Sequence, residues 1–531
     1  MSKGLVLCLC LSAALYTGRA SWAEEEQKEA QPSKKNAVEF NDSSLGFLSL
    51  SLADCVVMAL KNNLDVEVAR IDPLIEDKNI SVEKAPFDPI FSAKGDVRDV
   101  TEPINSRFIT GTAPGRLSRQ IKTVDASLSM LTPIGATVQI DYNFERVFRS
   151  VRSGVFFNPA VNSFIEAKVT QPLLKKFGIF YTRSKIYMAR NDKRRSLYAF
   201  KQTAIDITNE VQRAYWNLVN AIEELRVAHT SLARAQAFQK DNELKVQAGI
   251  LAPIDIIVDQ EEVSFREEQV IIRERDVEDA EDELKRLLHF FGPNTAPWLA
   301  GITITPTDKP FFELRDVDPN DAVKVALENR PDLFEQKLIL DNAGIEARRK
   351  KNELLPQLDF EGGMRLRGLD NHWSDSQEEW MTGDFKEEFA TLTFVIPIGL
   401  RKGRAEYAKA KYEKRKELLE LDKVEQNIIV EVREAVRRLN ATRKLIRQTS
   451  KTLKYANRRL VGEEKKYSVG RTTNIEVLRA QNNLAIQEAR AITAMTEHYI
   501  AQGELEAVKG TILKKFNIVL EGQALGNEFI Y

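Results

Sequence analysis

The chain has 531 residues, with 77 Lys and Arg against 78 Asp and Glu, for a formal net charge of −1. That balance excludes a dedicated nucleic-acid binder, which needs a basic excess. The length allows two to four domains, and a 29% share of charged residues suits long helices with one solvated face.

Met1–Ala23 reads as a secretory leader, with Lys3, an apolar run from Leu5 to Tyr16, and Ser21-Trp22-Ala23 as a small-x-small cleavage site. The rival reading, a membrane anchor, meets a run too short to cross a bilayer, and no other stretch reaches ~18 consecutive apolar residues. Cys8 and Cys10 fall in the leader and Cys55 alone remains, which leaves no disulfide framework and no cysteine metal site. Residues 24–47 are aperiodic, and Glu24–Asn41 is charged and proline-containing; the segment is expected to be a flexible lead-in.

A first structural repeat is expected over 48–290. Ser51 caps a helix whose apolar face is Val56, Val57, Leu60, Leu64 and Val68, and Pro89 closes it. The period then changes to two, predicting a β segment over about 90–172. Val124, Ala126, Leu128 and Met130 share an apolar face with Val138, Ile140, Tyr142 and Phe144 across a turn at Thr132-Pro133-Ile134-Gly135; further strands fall near Phe91–Val100 and Phe164–Gln171. A long helix follows, with Val211, Leu218, Leu225 and Leu232 as one stripe and Ile207, Ala214, Ala221, Ala228 and Ala235 as the other. Gly249 turns it into a return helix over about Pro253–His289.

Residues 291–318 form a connector with one β-like run, Ile302–Thr305. The second repeat, 319–517, restates the first. A spacing of 267 maps Asp54 to Asp321, Asp65 to Asp332 and Pro89 to Pro356; a spacing of 221 maps Val211 to Val432, Leu218 to Leu439 and Gly249 to Gly470. The difference, 267 minus 221, leaves 46 additional residues in the first β segment, room for one more hairpin. The second β segment covers about 357–397, with Leu358, Phe360, Met364 and Leu366 and then Ala390, Leu392, Phe394 and Ile396 on one face. An unbroken heptad seam from Gly403 to Tyr467 predicts one helix of ~60 residues, ~90 Å long, supercoiled around a partner. Its tip falls at about 470 and its return helix over about Asn474–Phe516, while 518–531 is a tail without pattern.

The strands alternate between a thoroughly apolar and a strongly charged face. A soluble sandwich with the apolar face inward and a membrane barrel with it outward both fit, and the pattern by itself favours the sandwich. The leader, the lack of a spanning helix, and the insertion of each β segment between a short and a very long helix reverse that preference.

At this point the chain resembles the TolC-type outer-membrane efflux channels. The residues that carry the resemblance are the duplicated openings (Leu52-Ala53-Asp54 to Asp65, Asn320-Asp321 to Asp332), the junctions at Pro89 and Pro356, the strand ends Gln171–Leu174 and Ile396–Ile398, and the second tip, Tyr467 to Leu478. It covers Leu48 to Asn517. The resemblance implies an α+β membrane protein built from a duplicated helix–β–long helix–helix unit. Three copies would close one β-barrel in outer-membrane lipid and continue it as a coiled-coil α-barrel across the periplasm of a Gram-negative-type cell. It implies a passive exit duct for small molecules or proteins in tripartite efflux or type I secretion. Its partners are a periplasmic adaptor and an inner-membrane transporter, with no cofactor, no metal and no catalysis. It also implies adaptor-docking tips at Gly249, Ile250, Asp255, Val469 and Gly470, and a periplasmic gate at Tyr467, Arg471, Thr472, Glu476 and Arg479. The family's two gate acids map to Glu476 and Arg479, so charges of mixed sign replace an acidic ring. Either Glu476 of one helix holds Arg479 or Arg471 of another, or the charges form a solvated pair within one helix. A family subunit contributes four strands, whereas six candidates are present here.

Four histidines, His229, His289, His372 and His498, are scattered without ligand spacing, and no phosphate loop or nucleophile motif is found. His229, near the Leu225/Leu232 seam, reads as packed or solvated. A soluble periplasmic coiled-coil adaptor or scaffold would share the helical hairpins and stays open as the alternative; an enzyme with helical insertions lacks a clustered catalytic set.

Overall fold

The computed structural model describes residues 46–104, 115–150, 155–291, 301–308 and 317–520. The expected leader, most of the lead-in and residues 521–531 lie outside them. The chain divides after Phe47, and the elements below belong to the unit Leu48–Tyr531, with β1 (Phe47–Leu50) beginning at the boundary. The first repeat runs α1 (Leu52–Asn62), α2 (Leu64–Lys84), β2 (Ile90–Ile104), β3 (Gly115–Leu131), β4 (Thr137–Arg149), β5 (Ala160–Pro172), α3 (Ile179–Gln247) and α4 (Pro253–Leu287). After β6 (Thr303–Pro306), the second runs α5 (Pro319–Asn329), α6 (Pro331–Asn352), β7 (Gln357–Asp370), α7 (Trp373–Thr382), β8 (Lys386–Val395), α8 (Arg401–Ser468), α9 (Asn474–Val508) and α10 (Ile512–Lys515).

The duplication is visible in the lengths. The long helices α3 and α8 have 69 and 68 residues, and the return helices α4 and α9 have 35 each; at 1.5 Å per residue the long pair extends ~100 Å. The predicted seam is the buried one: Val211, Ala214, Leu218 and Ala235 on α3, and Val432, Ala435, Leu439, Ile446 and Leu460 on α8. Each long helix packs on its own return helix, and α3 also packs on α9, which joins the two hairpins.

Several boundaries differ from the sequence expectation. The first opening is two helices rather than one. Asn63 leaves the helical region (φ −66°, ψ 131°) and its side chain accepts from Asp65 N at 2.9 Å, ending α1 and capping α2. The break rotates the faces, so Val56 and Leu60 are buried while Val57, Leu64 and Val68 are exposed. The second opening breaks at the same place, at Arg330 (ψ 121°), because a residue before proline disfavours the helical region. The Ser51 cap holds, with Asp54 N donating to Ser51 Oγ and Ser51 N to Asp54 Oδ2, both at 3.2 Å. At the far end α9 stops at Val508 rather than continuing to Phe516, since Gly510 at φ +70° redirects the chain into α10. The lead-in ends in a short strand that the sequence did not signal, and the predicted run at 302–305 is its partner, β6.

The two β segments, expected as separate clusters, form one antiparallel six-stranded sheet in the order β2-β3-β4-β5-β7-β8. The halves meet where β5 pairs with β7, Ile165 opposite Leu366. The hairpin β3–β4, inserted between β2 and β5, is where the additional residues of the first repeat went. Its turn is seated on the start of α3, Gly178 N donating to Ile134 O at 3.4 Å.

Register places Phe91, Ala93, Val97, Val124, Leu128, Ile140, Tyr142, Ala167, Met364, Leu366 and Leu392 on one face. This face is open: Val124, Leu128, Ile140, Met364 and Leu392 are 43–64% exposed. The opposite face is polar and internally bonded. Asn143 donates to Asp125 at 2.5 Å, Lys168 stands 3.5 Å from Asp141, Arg365 binds Glu166, and Arg367 reaches Glu387 at 2.6 Å. Glu166 is only 5% exposed. No helix among the described residues is long and apolar enough to cross a membrane.

Candidate functional site at the helical tips

Both hairpins turn on a glycine in the left-handed region, Gly249 at φ +75° and Gly470 at φ +72°, where a Cβ would strain the backbone. At the first tip Ile250 N donates to Lys245 O at 2.9 Å, and at the second Arg471 N donates to Lys466 O at 2.8 Å, closing the carbonyls that each helix leaves open. The turns carry apolar side chains into solvent: Ile250, Ile254, Ile257, Val469 and Ile475 are all exposed.

A buried polar chain links the hairpins just behind these turns. Tyr467 Oη donates to Asn242 Oδ1 at 2.8 Å, and Asn242 Nδ2 donates to Asp259 Oδ2 at 2.7 Å. Asn474 Nδ2 lies 3.4 Å from Asp259 Oδ1 and 3.3 Å from the Asp255 carbonyl. Asn242, Asp259 and Asn474 are almost wholly buried. Burial pushes the Asp259 carboxyl above its ordinary range, against the opposing hydrogen bonds from Asn242 and Asn474. Burial, with Asp259 and Asp255 nearby, likewise pushes the Tyr467 phenol up to about 12. Lys245 Nζ stands 4.5 Å above the Tyr467 ring, and Phe238 packs against it with ring centroids 5.4 Å apart.

Of the residues that the resemblance put at a gate, Tyr467 joins this chain, and Thr472 lies beside the Glu463 carboxylate. Glu476 and Arg479 pair with each other within α9, at 2.7 Å and in solvent, rather than bridging two helices of this chain. Within one copy this is an exposed pair, worth a few tenths of a kcal/mol. Arg471 is exposed at the turn. Of the tip residues, Asp255 is drawn inward through its carbonyl.

Sequence reasoning missed Asn242 and Asp259, although the signal for Asn242 was present. Extending the small-residue stripe by seven from Ala235 lands on Asn242, and extending the leucine stripe from Leu460 lands on Tyr467. A lone polar residue on a buried heptad position fixes register at a cost in stability. The duplication also breaks there, since 242 plus 221 is Glu463 and 259 plus 221 is Ala480. A second correction concerns His372: the structure brings it together with Asp370 and Asp375, one donor atom from each within 4.8 Å, at the exposed β7–α7 junction. His229 is exposed.

The family model described as outer membrane efflux protein matches residues 322–511. Among curated proteins no sequence matches the chain. Three solved structures share its fold. The Campylobacter jejuni CmeC outer membrane channel is 13% identical, with a TM-score of 0.62 over 92% of this chain and 98% of that one. The Neisseria gonorrhoeae MtrE outer membrane channel in its open state is 15% identical, with a TM-score of 0.58 over 91% and 98%. The outer membrane protein VceC of Vibrio cholerae is 11% identical, with a TM-score of 0.60 over 86% and 96%. The second repeat is thus similar to the outer membrane efflux protein family, and the chain as a whole has the fold of these outer membrane channels.

Proposed function

We propose that this protein is the outer-membrane channel of an efflux or type I secretion assembly, a passive exit duct from periplasm to exterior. The observation that carries the reading is the inverted sheet, with its apolar face open and its charged face bonded within itself. A soluble protein, including a periplasmic coiled-coil adaptor, would leave the apolar face in water, whereas lipid covers it and a water-filled lumen suits the other. The outer edges of β2 and β8 are unpaired among the described residues, and an open edge in hydrocarbon is prohibitive. Closure by a homotrimer would join β2 of one copy to β8 of the next. Three copies of six strands make an eighteen-stranded barrel, wider than the four strands per subunit of the family would give.

In this reading the tips face a periplasmic adaptor, which covers Ile250, Ile254, Ile257, Val469 and Ile475, and an inner-membrane transporter supplies the energy. The gate is held at the tips, where the Tyr467–Asn242–Asp259–Asn474 chain clasps the two hairpins and Arg471, Thr472, Glu476 and Arg479 lie at its solvent side. Planar-bilayer recording tests this. Tyr467→Phe with Asn242→Ala should raise single-channel conductance, while Glu476→Ala with Arg479→Ala should change it little. No conductance from purified protein would remove the duct reading altogether.

A further inference from the structure

The apolar band of the sheet ends, at the side away from the helices, in two cations. Lys122 on β3 and Arg146 on β4 are direct cross-strand partners, on the face that carries Val124 and Phe144 one step closer to the helices. Like charges directly opposite each other are destabilising, yet no ion pair to either is found among the described residues. On the inward face, by contrast, Lys168, Arg365 and Arg367 all have carboxylates. Arg146 stands between Phe144 and Phe148 on its own strand, and it opens into a recess shared with Phe144, Phe156, Val161, His372 and Trp373.

One wall of that recess is α7. The helix lies on the apolar face, with Trp373 Nε1 donating to Tyr142 Oη at 3.2 Å and Ser376 bonding Ser163 Oγ. It fits there because Gly368 has no side chain, since a Cβ at 368 would collide with the Ser376 carbonyl. Two unpaired cations, flanked by aromatic rings at the edge of a lipid-facing band, match an amphiphile with phosphate at the band's boundary and acyl chains alongside it.

We propose that Lys122 and Arg146, with the α7 recess, form a binding site for the phosphates of a lipid A-type glycolipid of the outer leaflet. The proposal rests on the outer-membrane reading. Lys122 and Arg146 would take one phosphate between them, the anion relieving their mutual repulsion. Phe144, Phe148 and Trp373 would pack on the glucosamine and the first acyl methylenes. Asp370, which faces Val161 from the next strand, and Asp375 lie beside His372, and their charge would keep the phosphate on the Lys122/Arg146 side.

The test uses full-length protein reconstituted into phosphatidylethanolamine vesicles carrying either bisphosphorylated or dephosphorylated lipid A. The protein is re-extracted in detergent, and retained glycolipid is counted by mass spectrometry. Lys122→Gln with Arg146→Gln should lower retention of the bisphosphorylated form at least about tenfold, as the loss of two charge-assisted contacts requires. The variant should leave conductance unchanged. Inorganic phosphate should not displace the lipid. Equal retention by wild type and variant, equal retention of the two glycolipids, or full displacement by inorganic phosphate would each overturn the site. A protein that conducts but fails to retain lipid defeats this site alone; one that neither inserts nor conducts defeats the channel reading and the site with it.

Discussion

Asp259 is a carboxylate placed where its charge is unwelcome. Its folded pKa is raised by burial, so the folded tip binds that proton more tightly than the unfolded chain does. The sign follows from linkage: stability at the tip falls as pH rises from the ordinary 3.8 through the raised value, and then levels off. Asp259→Asn should flatten that slope, read as amide exchange over Asn474–Gln481 at a series of pH values; an unchanged slope would assign the titration elsewhere. Tyr467→Phe leaves the buried Asn242 Oδ1 without its donor, at a cost of about 1–3 kcal/mol, and the same amides should exchange faster. His498 works in the opposite direction. It contacts Thr442 at 3.1 Å between α8 and α9, and burial together with Arg443 holds its pKa below 6.5. The folded chain therefore holds its proton less tightly than the unfolded one, and stability should fall as pH drops below 6.5. His498→Gln should lose that acid sensitivity in thermal melts.

At the scale of elements, α7 is the helix inside the β segments that periodicity did not announce. Ten residues between two strands carry too little pattern to separate a helix from a loop. It exists because Gly368, Ser163 and Tyr142 make a seat for it on the sheet. Gly368→Ala should unseat it, with Trp373 and Trp380 fluorescence shifting to the red; unshifted emission would mean that the seat tolerates a methyl. The long helices are the converse case. Their heptad stripes are local and repeated, so α4 and α8 were legible within two residues at each end, whereas the start of α3 and the end of α9 were not. The break at Asn63 was not, because a residue that caps one helix also serves inside a longer one.

The whole molecule presents two surfaces that a single copy leaves uncovered, the open apolar sheet face and the free edges of β2 and β8. Extraction should require detergent, and the assembly should migrate as a trimer that heat converts to a monomer. A monomer soluble without detergent would contradict the barrel. Electron microscopy of the purified assembly should count eighteen strands, three times the six of one copy; twelve would mean that the β3–β4 hairpin stands outside the wall. Neither number was decidable from alternation, which marks a strand but not its neighbours.

The sequence by itself determined the duplicated plan, the pairing of each long helix with a return helix, the alternating faces of the strands and the turns at Gly249 and Gly470. Each of these is written in residues a few positions apart, where periodicity and backbone preference act. Only the tertiary structure decided that both halves pool their strands in one sheet, that the polar face is bonded within itself while the apolar face stays open, and that Asn242 and Asp259 meet Tyr467 and Asn474. Those contacts join residues more than two hundred positions apart, and only the packing of one hairpin against the other brings them within hydrogen-bonding distance.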